Sequence, residues 1–289
     1  ERRRLARDLE RSGVTDDGAG WVARAEREAM AALEELGPSL GRELSRAVPM
    51  LRTKITGGSL ANPQQIGVVT RVCTILSASG QATRGTAGGA WYDRLPRWVR
   101  MQDWVPEVTE QPPPTPAAAR GELARRWLAA FGPASFDDLT WWTGWTVRHT
   151  RAALADAGAV EVDLDGTRAG IALADDLEPT PAPSPWVTLL PSLDPTTMGW
   201  KDRDWYLGTH RSRLFDSNGN AGPTIWSEGR VVGGWAQRPA GQVVLEFLED
   251  VGAEAVALGE AEADRLTTWL GGTVVRPSFP TPLQRELST

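Results

Sequence analysis

The chain has 289 residues, 41% hydrophobic and 24% charged, with a formal net charge of −6. This is the profile of an ordinary globular protein with room for two or three domains, and no apolar run approaches the roughly eighteen residues of a membrane-spanning helix. The opening Glu1-Arg2-Arg3-Arg4 is not a signal peptide, the single Cys73 excludes an internal disulfide and fits a reducing cytoplasm, and with only His149 and His210 no metal site and no cofactor is expected.

Residues 1–12 predict a charged helix. Thr15-Asp16-Asp17 reads as a turn and cap, and Trp21, Val22, Ala25, Ala29, Ala32, Leu33 and Leu36 recur at helical spacing, so a second helix runs from about Gly20 to Leu36 and stops at Gly37-Pro38. An internal repeat starts here: Leu36-Gly37-Pro38-Ser39-Leu40-Gly41-Arg42-Glu43-Leu44 resembles Phe131-Gly132-Pro133-Ala134-Ser135-Phe136-Asp137-Asp138-Leu139, 95 positions later. Each copy follows a helix and opens a short second one. A third helix is predicted at about 63–77 and again at about 146–157, closed by Gly80 and Gly158. Hairpin sequence comes after each: QATRGT, a Gly88-Gly89 turn and AWYDRLPRWVR in the first copy, AVEVDL, an Asp165-Gly166 turn and TRAGIAL in the second. Three helices and a β-ribbon make a winged helix, whose third helix enters the DNA major groove while the ribbon touches backbone or minor groove.

The charge is spread unevenly over these modules. Residues 1–104 carry 16 Lys/Arg and 12 Asp/Glu, residues 105–289 carry 15 and 25, and residues 41–100 set nine basic side chains against Glu43 and Asp93 alone. A one-signed module in an acidic protein is an electrostatic footprint whose usual partner is phosphate; the alternative is a solvated basic face. In the first copy Arg52 and Lys54 precede the third helix, Arg71 lies on it, and Arg84, Arg94, Arg97 and Arg100 lie on or beside the wing. Trp91 and Trp98 interleave with them, as core beneath the wing or as stacking platforms. The second copy offers Arg148, His149 and Arg151, but its wing carries Glu161, Asp163 and Asp165, which phosphate repels, so it reads as mainly architectural.

Two stiff proline-rich linkers, 111–116 and 178–185, set the boundaries. The expected fold class is α+β: a helical remainder of an N-terminal winged-helix module (1–36), a basic winged helix (37–110), a second winged helix (117–177) and a small C-terminal β-barrel-like domain with one helix (186–289). In the last, WVTLL, PTIWSEGRVVGGWAQ with a Glu228-Gly229 turn, and QVVLEFLED read as strands of a small barrel or strongly twisted sheet. A helix is predicted over 253–270, then a final strand TVVRPSF and a polar tail.

The densest chemistry lies in 189–222, where Asp194, Lys201, Asp202, Arg203, Asp204, His210, Arg211, Arg213 and Asp216 alternate with Trp200, Trp205, Tyr206 and Phe215. Buried charges need partners, so the stretch reads either as a twisted hairpin with local Arg–Asp pairs or as the floor of a polar cleft. Asp194, after an apolar strand and before a proline, is the candidate catalytic carboxylate, with a turn-capping role as the alternative. Arg203 and Arg211, with Arg213, are candidate phosphate ligands.

The long motifs TRGTAGGAWYDRLPRW, ARRWLAAFGPAS with DDL and WWTGW, LLPSLDPTTMGWKDRDWYL, LFDSNGNAGPTIW and VVGGWAQ resemble the bacterial winged helix DNA-binding domain-containing family, in its actinobacterial branch, over the whole chain. The resemblance implies tandem winged helices and a C-terminal β-barrel shaped to hold DNA. Some relatives are DNA glycosylases that remove alkylated bases and unhook interstrand crosslinks, using a Gln-x-Gln-like element in an N-terminal winged helix. Here Gln64-Gln65 is adjacent rather than spaced and lies in a different module. The chain also begins inside a helical pattern without an initiator Met, so the matching region is expected upstream of Glu1. The implied partner is double-stranded DNA, intact or damaged. Two functions stand: a DNA repair glycosylase acting on alkylated or crosslinked bases, or a non-catalytic DNA-binding or transcription regulatory protein. A regulator of this type needs a two-fold dimer; the chain has no dimerisation heptads, and a monomer is expected.

Overall fold

The computed structural model describes every residue except 60, 61, 88, 91, 93, 94, 111, 165–167 and 278, and only the backbone of 57–59, 62–64 and 87. The chain divides into two compact units, Glu1–Pro113 and Pro114–Thr289.

The first unit contains α1 (Arg2–Arg11), α2 (Gly18–Leu36), α3 (Gly41–Ala47), a 3-10 turn at Pro49–Arg52, β1 (Lys54–Ser59), β2 (Asn62–Gly67), α4 (Val68–Ala78), β3 (Ala82–Ala87), β4 (Pro96–Arg100), α5 (Met101–Trp104) and α6 (Pro106–Glu110). Asp17 caps α2 by accepting from the Gly20 N–H at 2.8 Å. The apolar faces of α1, α2, α3 and α4 meet in one core holding Leu5, Leu9, Trp21, Ala25, Leu33, Leu44, Val72 and Leu76. Residues 1–36 share this core with α3 and α4. Burial pushes the Cys73 thiol up to about 12, which keeps it protonated and unreactive.

The third helix starts at Val68, not near residue 63, because 54–67 fold into the antiparallel hairpin β1–β2, paired from Lys54↔Gly67 to Ser59↔Asn62. Its sequence, KITGGS and NPQQIG, carries three glycines and a proline in place of apolar alternation, which conceals the strands. β3 and β4 pair antiparallel, with Arg84 opposite Trp98. The expected Gly88-Gly89 turn, Trp91 and Arg94 fall on or next to residues outside the described ones.

The second unit contains α7 (Pro116–Phe131), α8 (Phe136–Thr143), α9 (Val147–Asp156), β5 (Ala159–Asp163), β6 (Ala169–Leu173), β7 (Val187–Leu190), α10 (Pro195–Met198), α11 (Asp204–Leu207), α12 (Arg211–Leu214), β8 (Thr224–Ser227), β9 (Arg230–Gln237), β10 (Val243–Phe247), α13 (Gly252–Leu270) and α14 (Pro282–Leu287). The Asp165-Gly166 turn lies outside the described residues. The two Gly-Pro segments have similar local geometry. Ser39 bridges to Trp98 of β4, and Ala134, 95 positions on, bridges to Ile171 of β6. Glu43 accepts from the Leu40 N–H at 2.8 Å and Asp138 from the Ser135 N–H at 3.0 Å, each holding the start of the helix after the Gly-Pro. The element order is α2, α3, β1–β2, α4, β3–β4 in the first unit and α7, α8, α9, β5–β6 in the second.

Strands β7 to β10 form one antiparallel sheet in the order β10-β9-β8-β7. This open sheet replaces the expected barrel-like closure: among the described residues no barrel closes. Helices cover both faces. Gly259 of α13 lies against Phe247, Leu245 and Val187, while Gly234 of β9 lies against Leu283 of α14 and Leu214 of α12, so the apolar faces are buried without joining the edges. Two further expectations are corrected. Residues 189–222 form the three single-turn helices α10, α11 and α12 rather than a twisted hairpin. Residues 273–277 form no strand; they are tied by Gln237, whose Nε2 donates to the Thr273 carbonyl at 2.7 Å and whose Oε1 accepts from the Val275 N–H at 2.9 Å. The tail carries α14, opened by a capping box between Thr281 and Gln284.

The second helix–hairpin module and the sheet share one unit through Trp200 and Asp138. Trp200 packs edge-on to Phe131 at 5.3 Å and donates to its carbonyl at 3.0 Å. Asp138 accepts from the backbone N–H groups of Lys201 and Asp202 at 2.8 and 3.1 Å.

Candidate nucleic-acid interface

The basic side chains of the first unit sort into those neutralised at home and those left available. Arg71 on α4 is 16% exposed and held by Glu1 and Asp8, both at 2.7 Å. Burial favours protonation of the Asp8 carboxyl, but the Arg71 and Arg11 hydrogen bonds outweigh it and hold Asp8 below the usual carboxylate range. Arg97 pairs with Glu43 at 3.0 Å and donates to the Pro38 carbonyl. Arg100 is shared between Glu34 at 2.8 Å and Asp103 at 2.7 Å. Arg52 closes the end of α3 by donating to the Ser45 and Arg46 carbonyls at 2.7 and 2.9 Å. These four hold the module together.

Lys54 and Arg84 are exposed. Neither has a carboxylate within ion-pair distance among the described residues. The Arg84 guanidinium lies over Trp98, 5.5 Å from its ring centroid, which fixes it on the outer strand of the hairpin; Trp98 itself is 8% exposed and belongs to the core.

Helix α1 adds basic residues that sequence reasoning did not single out. Its exposed Arg3, Arg4, Arg7 and Arg11 lie opposite the fully buried Leu5 and Leu9. Arg11 is tied to Asp8, while among the described residues Arg7 donates only to the Arg3 carbonyl. A groove of about 600 Å³ runs beside them, lined by Ala6, Val22 and Ala23, by Arg2, Arg3 and Arg7, and by Glu10 and Glu26, the last paired with Arg2 at 2.7 Å. The i, i+4 spacing of Arg3, Arg7 and Arg11 was the available signal.

In the second unit Arg148 is exposed on α9. Arg203 is 4% exposed and lies between two rings, 5.1 Å from the Trp141 centroid and 5.4 Å from that of Phe215. Exposed Arg211 lies 5.6 Å from the same Phe215 ring. Arg213 is neutralised by Glu246 and Glu286. The local Asp–Arg pairing expected in this stretch is absent: Lys201 pairs with Asp137 and Asp202 with Arg168. Asp194, half-buried, accepts from the Thr196 N–H at 2.8 Å and so caps α10. Among the described residues no three His, Cys, Asp or Glu side chains cluster as a metal site would need, and no helix is long and apolar enough to cross a membrane.

These features meet in one comparison. A family model described as DNA glycosylase AlkZ-like matches residues 1–269. No curated protein matches the chain. Among solved structures, Streptomyces sahachiroi DNA glycosylase AlkZ superposes with a TM-score of 0.68 at 20% identity, over 93% of this chain and 70% of that one. That identity carries the fold alone; the family model, spanning both units, carries membership. The chain belongs to the AlkZ-like DNA glycosylase family.

Proposed function

We propose that the protein is a DNA repair glycosylase that grips double-stranded DNA through tandem winged helices and removes alkylated or crosslinked bases, working as a monomer in the cytoplasm. The observation that carries this reading is the family match over residues 1–269. In winged-helix terms β3–β4 and β5–β6 are the wings. The first wing presents Arg84 and the second presents exposed Glu161 and Asp163, so of the two wings the first is the one suited to phosphate. Lys54 and the arginines of α1 extend its basic surface.

Binding across a salt series tests the grip. Lys54→Gln and Arg84→Gln are each expected to weaken binding to all duplex sequences alike and to reduce the slope of log affinity against log salt by about one. Arg71→Gln is expected to destabilise the first unit instead, because it releases Glu1 and Asp8. An unchanged slope in both exposed variants removes β1 and the wing from the interface.

Hydrolysis of an N-glycosidic bond needs a positioned water, a carboxylate or amide to orient it, and an exposed nucleotide. Asp194 is the proposed carboxylate. Its Oδ1 is used by the Thr196 N–H, and its Oδ2 has no hydrogen-bond partner among the described residues. Asn caps a helix as well as Asp does, so Asp194→Asn is expected to fold and bind DNA while losing base release. Base release at the parent rate would reduce Asp194 to a cap. Tight, salt-dependent binding by the parent protein with no release from any alkylated duplex would assign the second reading, a non-catalytic DNA-binding or regulatory protein.

A further inference from the structure

We infer that Arg203 and Arg211 form an oxyanion site that receives a backbone phosphate of nucleic acid, with Trp141 as its aromatic wall. This deepens the DNA-binding reading and rests on it for the source of the phosphate, but not for the existence of the site.

Arg203 is a buried cation without a direct ion pair among the described residues. It precedes α11 and is 4% exposed. Its Nε donates to the Trp200 carbonyl at 2.8 Å, and its flat faces are shared between Trp141 and Phe215. Among the described residues no carboxylate comes within ion-pair distance of it. Asp138 is near enough to be felt, yet both of its oxygens are used: Oδ1 by the Lys201 and Asp202 N–H groups, Oδ2 by the Ser135 N–H and hydroxyl. Burial therefore weakens the hold of Arg203 on its proton, and the neighbouring Arg211 adds to the effect.

A buried cation is costly unless paired, and two aromatic faces offset only part of that cost. A second guanidinium against the same Phe215 ring raises it further. Nearby arginines are treated differently. Arg213 has Glu246 and Glu286, and Arg230 has Glu249. Carboxylates are thus supplied to the neighbours and withheld from Arg203 and Arg211, which leaves two positive groups, one dry and one exposed, complementary to an incoming anion.

The surroundings favour nucleic acid over a free ion. Trp141 is 44% exposed while packed on Arg203. An exposed tryptophan beside a cation suits a phosphate that carries a sugar and a base. A bare inorganic anion makes no use of it.

The probe is inorganic phosphate, read against chloride at matched ionic strength by the thermal unfolding midpoint. Arg211→Gln is the main variant because its side chain is exposed; Arg203→Lys keeps the charge and shortens the reach. Phosphate is expected to raise the midpoint of the parent protein by a few degrees, and Arg211→Gln to lose most of that rise. The salt slope for duplex DNA is expected to fall by about one in the same variant. Lys54→Gln and Arg84→Gln are expected to keep the phosphate response. Equal midpoints in the two salts, or an undiminished response in Arg211→Gln, would overturn the site. A phosphate response lost in Arg211→Gln with duplex affinity and slope unchanged would overturn the nucleic-acid source and leave a free-anion site. Loss of DNA binding in Arg84→Gln with no phosphate response in the parent would leave the winged-helix grip standing and this inference refuted.

Discussion

Asp138→Ala is expected to cost the second unit about 4 kcal/mol, the largest loss expected from truncating any single polar side chain of the unit. Asp138 is 4% exposed, and its carboxylate accepts from four donors: the Ser135 N–H and hydroxyl at 3.0 and 2.6 Å and the Lys201 and Asp202 N–H groups at 2.8 and 3.1 Å. Alanine leaves these donors without their acceptor and opens both the start of α8 and its tie to the chain around Trp200. The rings in contact through that junction, Phe131 to Trp200 to Tyr206 to Trp226 at centroid separations of 5.3, 5.6 and 5.1 Å, depend on its geometry. Asp138→Asn keeps one acceptor oxygen and is expected to recover part of the loss. Urea unfolding followed by tryptophan fluorescence measures both. A loss below about 1 kcal/mol for alanine would mean that aromatic packing alone holds the junction.

Gly233→Ala is expected to be of similar severity, at about 3 kcal/mol or more. A Cβ at Gly233 would lie 2.2 Å from the Glu246 carbonyl oxygen and 3.0 Å from the Phe247 Cα. Both are backbone atoms of β10, and Gly233 pairs with Phe247 in the ladder, so neither strand can retreat without breaking hydrogen bonds. Gly41→Ala is the control. Its Cβ would meet only Val69 at an ordinary 3.8 Å, and inside α3 alanine is expected to be neutral or mildly stabilising. Comparable losses in the two variants would show that backbone crowding is not the cause.

The features legible in the sequence are the local ones. The starts of α3 and α8 were legible because a capping acid three residues into a helix is a short-range signal, and Glu43 and Asp138 both carry it. The Glu228-Gly229 turn and α13 were legible for the same reason: a tight turn between apolar strands, and a long helical period. The hairpin β1–β2 was hidden because its pairing rests on backbone hydrogen bonds between residues with no apolar alternation. The open sheet was misread because strand count and turn spacing cannot say whether helices or strands will cover its faces; Leu283 and Leu214, which cover one of them, lie far apart in the chain. The candidate site suffered most from distance. Arg71 looked free on its helix, yet Glu1 and Asp8 reach it across 70 and 63 positions. Arg203 looked paired between Asp202 and Asp204, yet it packs between Trp141 and Phe215. Asp138 announced its cap, while its contacts to Lys201 and Asp202 lie 63 and 64 positions away.

Removal of damaged bases from duplex DNA is the activity on which the proposed function stands or falls. It is measured by chromatographic detection of free base after incubation with alkylated duplex DNA, with Asp194→Asn and Arg84→Gln alongside. Release is expected from the parent protein, none from Asp194→Asn, and slower release from Arg84→Gln that recovers at low salt. Salt-dependent binding by the parent with no free base from any alkylated duplex would refute a glycosylase.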